Sequence, residues 1–261
     1  MSIRIHTLVL ATLLVATFTG SQSYAESLIE PDYAGHGPKV TTPWFEYYSP
    51  ANYKADQDFI TGMRPHHAGA LTMSKKYLKS ENKQSERLQS LAGGIIRNQS
   101  FEIFMLDTIE DHIQDIDFNK NGTGWHQVAE QNLAQRERFM RSPTPGIQKV
   151  FNGDDTASAE DVKFAKAMIV HHEGALMMCN DYLDNPDINN GYLERMCLDV
   201  LRDQAQEIQL MWNIVDSYHG NTCEVKINAA MIDGMDGMMH HMDFSKANCE
   251  KPKTGHHQHM N

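Results

Sequence analysis

Two adjacent histidines, His66 and His67, stand between Met63 and Met73, and the same set returns 105 residues later as Met168, His171, His172 and Met178. Imidazole nitrogen and thioether sulfur are both metal donors. Taken singly, an inward methionine is ordinary core filler, and a lone inward histidine is ordinarily a satisfied core group. Two histidines between two methionines, repeated intact, are an odd way to fill a core, because imidazole needs polar partners when buried. The donor types narrow the metal. Neutral thioethers are soft and suit Cu(I) and, by the same reasoning, Ag(I), whereas imidazole suits both copper states and zinc. Calcium and magnesium need oxygen donors in number, which this stripe lacks. A di-iron carboxylate centre draws on Glu-x-x-His from two helices, and neither copy has that motif. Structural zinc recruits cysteine or histidine rather than methionine.

The elements that carry these donors are legible in the same spacing. Asp56, Phe59, Met63, His66, Ala70, Met73 and Tyr77 alternate steps of three and four, which is one inward stripe of a helix. His67 lies beside that stripe, placed either to reach the same space or to face outward. The 105-residue register also joins Asp56 to Asp161, Phe59 to Phe164 and Tyr77 to Tyr182, then Arg97, Gln99 and Glu102 to Arg202, Gln204 and Glu207. One unit of roughly 55 residues therefore occurs twice, and such a repeat governs the fold.

Each unit reads as two helices joined by a short polar loop, hence as antiparallel neighbours. The expected helices are 52 or 56 to 80, 86–116, 161–184 and 192–217, with Ser158 and Asp161 forming a capping pattern. Two hairpins, each with one apolar face, bury those faces against each other. The expected fold is all-α: a four-helix bundle with copy one at about 53–117, a connection at 118–157 and copy two at about 158–218. Within the connection, 125–141 is expected to add a helix. Glu102 and Glu207 read equally as solvated helix charges or as acceptors that fix an imidazole tautomer. Met105 and His112, seven apart, are a weaker candidate pair, since copy two has Leu210 and Ser217 there.

Outside the repeat, residues 1–25 read as a secretory signal: Arg4, an apolar run from Leu8 to Phe18, and Ala25 at a small-residue cleavage site. That run is too short for a permanent span. The mature protein is expected in a bacterial periplasm or outside the cell. The formal charge is −11, or −12 without residues 1–25, which argues against nucleic-acid partners and anionic membrane surfaces. Prolines 31, 38, 43 and 50 make 26–52 an irregular arm, pinned by Trp44, Phe45, Tyr47 and Tyr48. Four cysteines in an exported chain suggest disulfides. Cys179 and Cys197 lie nine residues either side of Ile188 and face each other in a hairpin turning there. Cys223 then pairs with Cys249 and closes a loop over the tail, 219–261. That loop carries Met231, Met235, Met238, Met239, His240, His241 and Met242. Exposed methionine in a glycine-containing polar segment has no packing purpose and is open to oxidation, so metal capture is the stronger reading.

The pattern Phe-x3-Met-x2-His-His-x2-Ala-x2-Met, followed by Gln-x2-Glu-Ile, resembles the ferritin-like double-histidine family of bacterial envelope proteins, a domain of unknown function. With the export signal and the Met/His-rich tail, it is similar to CopM-type periplasmic copper-binding proteins. The resemblance covers about 54–218 without the middle insertion. It implies a four-helix bundle, copper handling, and Met63, His66, His67, Met73, Met168, His171, His172 and Met178 as ligands. The family's methionine slot on the second helix falls on Leu106 in copy one. The expected function is sequestration of Cu(I), with Cu(II) through the histidines, serving copper resistance. No turnover is expected. Metal ions, and envelope copper export or delivery proteins, are the expected partners. The rivals are a copper-dependent envelope oxidoreductase and a metal-free helical interaction protein.

Overall fold

The computed structural model describes residues 43–130, 133, 156–235 and 244–249. The chain is mostly helical with one small sheet. Strand β1 (Pro43–Tyr48) leads into helices α1 (Pro50–Lys79) and α2 (Glu86–Gln114), then the short α3 (Phe118–Asn121) and strand β2 (Gly124–Glu130). Helices α4 (Ala159–Leu183) and α5 (Gly191–Asp216) follow, and α6 (Phe244–Cys249) lies in the tail. Within each copy the two long helices pack as a pair, and α1 packs across α4.

The helix starts follow from local chemistry. Ser49 caps α1 in a reciprocal box with Asn52, and Pro50 occupies the first turn, where its missing N–H costs nothing. Ser158 and Asp161 form the expected box at the start of α4. Ser85 and Asn190 cap α2 and α5 through their side-chain oxygens. The four long helices thus lie within a few residues of their expected bounds.

Two expectations about the flanks are corrected. Residues 43–48 of the arm are not irregular: β1 pairs antiparallel with β2, from Pro43 opposite Glu130 to Tyr48 opposite Gly124. Residues 125–130 consequently belong to a strand and not to the expected helix over 125–141. Aromatic residues favour a pleated, half-buried ribbon, and pairing satisfies both backbones, which outweighs the weak helical pattern of this stretch. The remainder of that expected helix lies outside the described residues, apart from the buried Leu133.

The cysteines are also corrected. All four are free thiols, so neither expected disulfide is present. The expected partners do meet: Cys179 and Cys197 hydrogen-bond inside the core, and Cys223 sits beside Cys249. Burial, then the neighbouring Cys179, pushes the Cys197 thiol far above its usual range. The fold brings each pair together and leaves both members as thiols.

The apolar core comes in two clusters. One gathers the C-terminal part of α1, the N-terminal parts of α2 and α4, the end of α5 and the tail residues Ile227, Ile232 and Met235. The other gathers Phe59 to Met63, Phe101 to Ile113, Ala175 to Tyr182 and Tyr192 to Val200. On every long helix the boundary between them falls on polar residues. These are His66 and His67 on α1, Asn98 and Gln99 on α2, His171 and His172 on α4, and Gln204 on α5, with Glu102 and Glu207 close by, all of them buried. A polar layer crosses the middle of the protein.

Candidate metal centre

The layer is built around the crossing of α1 and α4. His66 Nε2 donates to the backbone carbonyl of His171 at 3.0 Å, and His171 Nε2 donates to the carbonyl of His66 at 3.0 Å. The two rings lie 3.7 Å apart. Toward the ends of the crossing, Tyr182 Oη donates to Asp56 at 2.7 Å and Tyr77 Oη to Asp161 at 2.6 Å. Each bond runs from one copy to the other, and each has its counterpart 105 residues away. The helices therefore cross antiparallel about a local two-fold, with the histidines at its centre.

These bonds set the histidine tautomers. A carbonyl only accepts, so Nε2 carries the proton in His66 and His171, and Nδ1 is left as a bare lone pair. His172 Nε2 donates to Glu207 at 2.7 Å. His67 Nε2 lies 3.0 Å from Glu102, although off the line of a good hydrogen bond. Both glutamates are thus buried against imidazole. Of the two readings open for them, the solvated helix charge is excluded. Donating the far ring N–H to a carbonyl or carboxylate is how metal-bound histidines are ordinarily held.

What the layer lacks is equally regular. The Nδ1 atoms of His66, His67, His171 and His172 are buried without a hydrogen-bond partner, and so are the Oε1 atoms of Gln99 and Gln204. These six atoms form three pairs related by the repeat. Buried polar groups are nearly always satisfied, and leaving one unpaired costs about 1–3 kcal/mol. Burial, reinforced by the neighbouring histidines, holds His66 and His171 well below the usual imidazole range, so both stay neutral into acid. Protons therefore compete little for their lone pairs.

The sequence matches the family described as a domain of unknown function (DUF305) over residues 56–215 and again over 161–253. The chain belongs to that family. Both matches of this domain of unknown function begin at the same repeat position, Asp56 and Asp161. No curated protein and no solved structure matches the chain.

The other expected ligands of this DUF305 chain are placed as follows. Met63 and Met168 are fully buried one turn before their histidines, one in each apolar cluster, so a thioether stands on either side of the layer. Met73 and Met178 are seven residues beyond, roughly 10 Å along the helix at 1.5 Å per residue. They line two separate grooves instead. Met231 shares a groove with Met73. Met235 is buried in the first apolar cluster, which corrects the expectation that tail methionines have no packing role. Met238, Met239, His240, His241 and Met242 lie outside the described residues. Met105 is core, and His112 donates Nδ1–H to the Thr108 carbonyl at 2.6 Å, so that pair does not form a site.

Sequence reasoning matched Asp56, Asp161, Tyr77, Tyr182 and Gln204 across the repeat without assigning them a task. Their equal spacing from the histidines was the available signal. Among the described residues, no group of three or more histidine, cysteine and carboxylate side chains converges on a point that could hold an ion. Closing a coordination sphere on the layer therefore calls on thioether sulfur, or on rotation of the imidazoles about their side-chain bonds.

Proposed function

We propose that this protein sequesters Cu(I), and Ag(I) by the same donor chemistry, in the bacterial envelope and so contributes to copper resistance. The observation that carries this reading is the set of four buried histidines whose Nδ1 atoms have no hydrogen-bond partner, with His66 and His171 held neutral at its centre. Met63 and Met168, one on either side, supply soft neutral sulfur, the donor type that favours Cu(I) over divalent ions. The metal is cargo, and no turnover is proposed. The four long helices are read as one ferritin-like bundle, with residues 1–25 as the export signal. The Met/His-rich tail beyond Met235 is read as a second capture site, and envelope copper export or delivery proteins as the exchange partners.

Competition against a weak cuprous chelator under anaerobic conditions tests the reading. His66→Gln and His171→Gln keep an amide N–H near the position of Nε2 while removing the imidazole lone pair. Each is expected to lower Cu(I) retention at least tenfold, and by similar factors, because the pair is reciprocal. The pH dependence carries a sign. Both imidazoles titrate well below their ordinary value of about 6.5, so affinity is expected to stay level as the pH falls from 7.5 toward 6. A steady tenfold loss per pH unit over that range contradicts a layer of neutral histidines.

A second reading has its own support. The reciprocal histidine–carbonyl bonds alone cross-link α1 to α4, and no three-residue metal group converges among the described residues. In that case the layer is a packing device of a metal-free interaction protein. Equal melting temperatures with and without Cu(I), and no metal retained after desalting, select it.

A further inference from the structure

The local two-fold generates two matching grooves between α1 and α4, and their chemistry is opposite. In the first, the floor is the Tyr77–Phe164 ring pair at 4.2 Å, and the walls carry Met73, Lys76 and Lys163, with Glu160 beside them. In the second, the floor is the Phe59–Tyr182 pair at 4.5 Å, and the walls carry Met178, Asp181 and Asp58. Each residue of one set lies 105 positions from its counterpart in the other. The repeat thus keeps the aromatic floor and the thioether in both copies, and reverses the charge at two wall positions.

The first groove is taken by this chain's own tail. Met231 and Asp233 line it, and the backbone at Asp233–Gly234 passes so close to Gly69 that a Cβ there would lie 2.0 Å from the Asp233 carbonyl oxygen. Asp233 thus lines the same groove as Lys76 and Lys163. Among the described residues, the second groove is lined by α1, α4 and Asn185, is floored at Gly62 beside Met178, and is larger, about 230 Å³ against 120 Å³. Among the described residues, Asp58 pairs with the exposed Lys54 alone, four residues back on its own helix.

We propose that the acidic groove at Met178 docks a short basic segment of a partner protein, with a lysine or arginine where the tail places Asp233. The occupied groove supplies the template: a short 3-10 turn ending at Met231, then Asp233, then Gly234 at the close approach with a positive φ. Charge complementarity selects the occupant, because an acidic segment such as that around Asp233 meets Asp58 and Asp181 and is repelled. The inference stands apart from the copper reading, since it uses neither the histidine layer nor a bound ion.

The test uses two synthetic peptides and the full metal-free chain. One peptide copies Asn228–Met235, and the other is the same with Asp233→Lys. By fluorescence anisotropy at low salt, the lysine peptide is expected to bind at least tenfold tighter than the aspartate peptide. Its affinity should fall as salt rises. The doubly charge-reversed variant Asp58→Lys, Asp181→Lys is expected to invert the preference. Both positions are exposed, so the variant keeps its fold, which circular dichroism verifies. Equal binding of both peptides, no binding at millimolar peptide, or an unchanged preference in the variant overturns the proposal. So does a wild-type self-association abolished by the charge reversal, which would make a second copy of the chain the occupant.

Discussion

The two copies are alike at their centre and unlike at their rim. In the layer, the residues match in type and in partner: His66 mirrors His171, Tyr77–Asp161 mirrors Tyr182–Asp56, and the unpaired Nδ1 and Oε1 atoms come in twos. Outside it, copy one faces water with Thr61, Arg64 and Asp107, the last two forming an ion pair. Copy two has Lys166, Ile169 and Trp212 at those positions, all buried. The cause is the tail, which packs Ile227, Ile232 and Met235 onto the cluster that holds Ile169. Lys166 donates its three Nζ hydrogens to the carbonyls of Thr222, Val225 and Asn248. One half has thus adapted to hold a cover, while the layer retained its symmetry. A centre that stays symmetric while its surroundings diverge is under a requirement that both halves must meet together.

Breaking the cover separates the copies most. Lys166→Met leaves three part-buried carbonyls without their donor and is expected to cost about 2–4 kcal/mol in urea unfolding, given roughly 1.5–3 kcal/mol for a hydrogen bond to a charged group. The counterpart Thr61→Val, on the exposed side, is expected to stay within about 0.5 kcal/mol. Equal losses would show that the tail is not what distinguishes the copies.

The close approach at Gly69 is the next lever. Gly69→Ala forces the Asp233–Gly234 backbone outward and is expected to cost about 1–3 kcal/mol, the range for overpacking. Trypsin cleavage after the exposed Lys226 should accelerate, which reports release of the tail separately from global unfolding.

A subtler contrast concerns the two matched aspartates. Burial pushes Asp56 up to about 6, even though Tyr48 and Tyr182 donate to it. Asp161 is pushed up by burial as well, but hydrogen bonds from Tyr77, Ser158 and Gln84 outweigh this and hold it below the usual carboxylate range. The pH dependences are therefore opposite. Asp56 contributes most when protonated, and its contribution is lost as the pH rises from 3.8 through about 6. Asp161 contributes when ionised, and its contribution is lost as the pH falls below 3.8. Asp56→Asn is expected to be less damaging at pH 7 than at pH 4. Asp161→Asn should cost most at pH 7, with the cost shrinking toward pH 2. Parallel pH profiles would contradict the assignment.

Much of this was legible in the sequence, for identifiable reasons. Helix bounds, the capping box at Ser158 and the inward histidine stripe depend on local periodicity, which neighbouring residues determine. The inversion of charge between Asp58 and Lys163 could have been read from the repeat but carried no meaning without the groove. The β1–β2 ribbon depends on a pairing across some eighty residues of chain, and no local pattern announces it. The role of Lys166 was hidden because a lysine on a helix is ordinarily solvated, and only the path of the tail buries it. The direction of the imidazole nitrogens was likewise invisible, since it follows from the reciprocal carbonyl bonds at the helix crossing.

Copper K-edge absorption on the full chain, loaded anaerobically with one equivalent of Cu(I), tests the central claim most directly. A shell containing both imidazole nitrogen and thioether sulfur is expected, with the nitrogen component lost in the double variant His66→Gln, His171→Gln. A sulfur-only shell that is unchanged in that variant would place the copper elsewhere and contradict a metal-binding histidine layer.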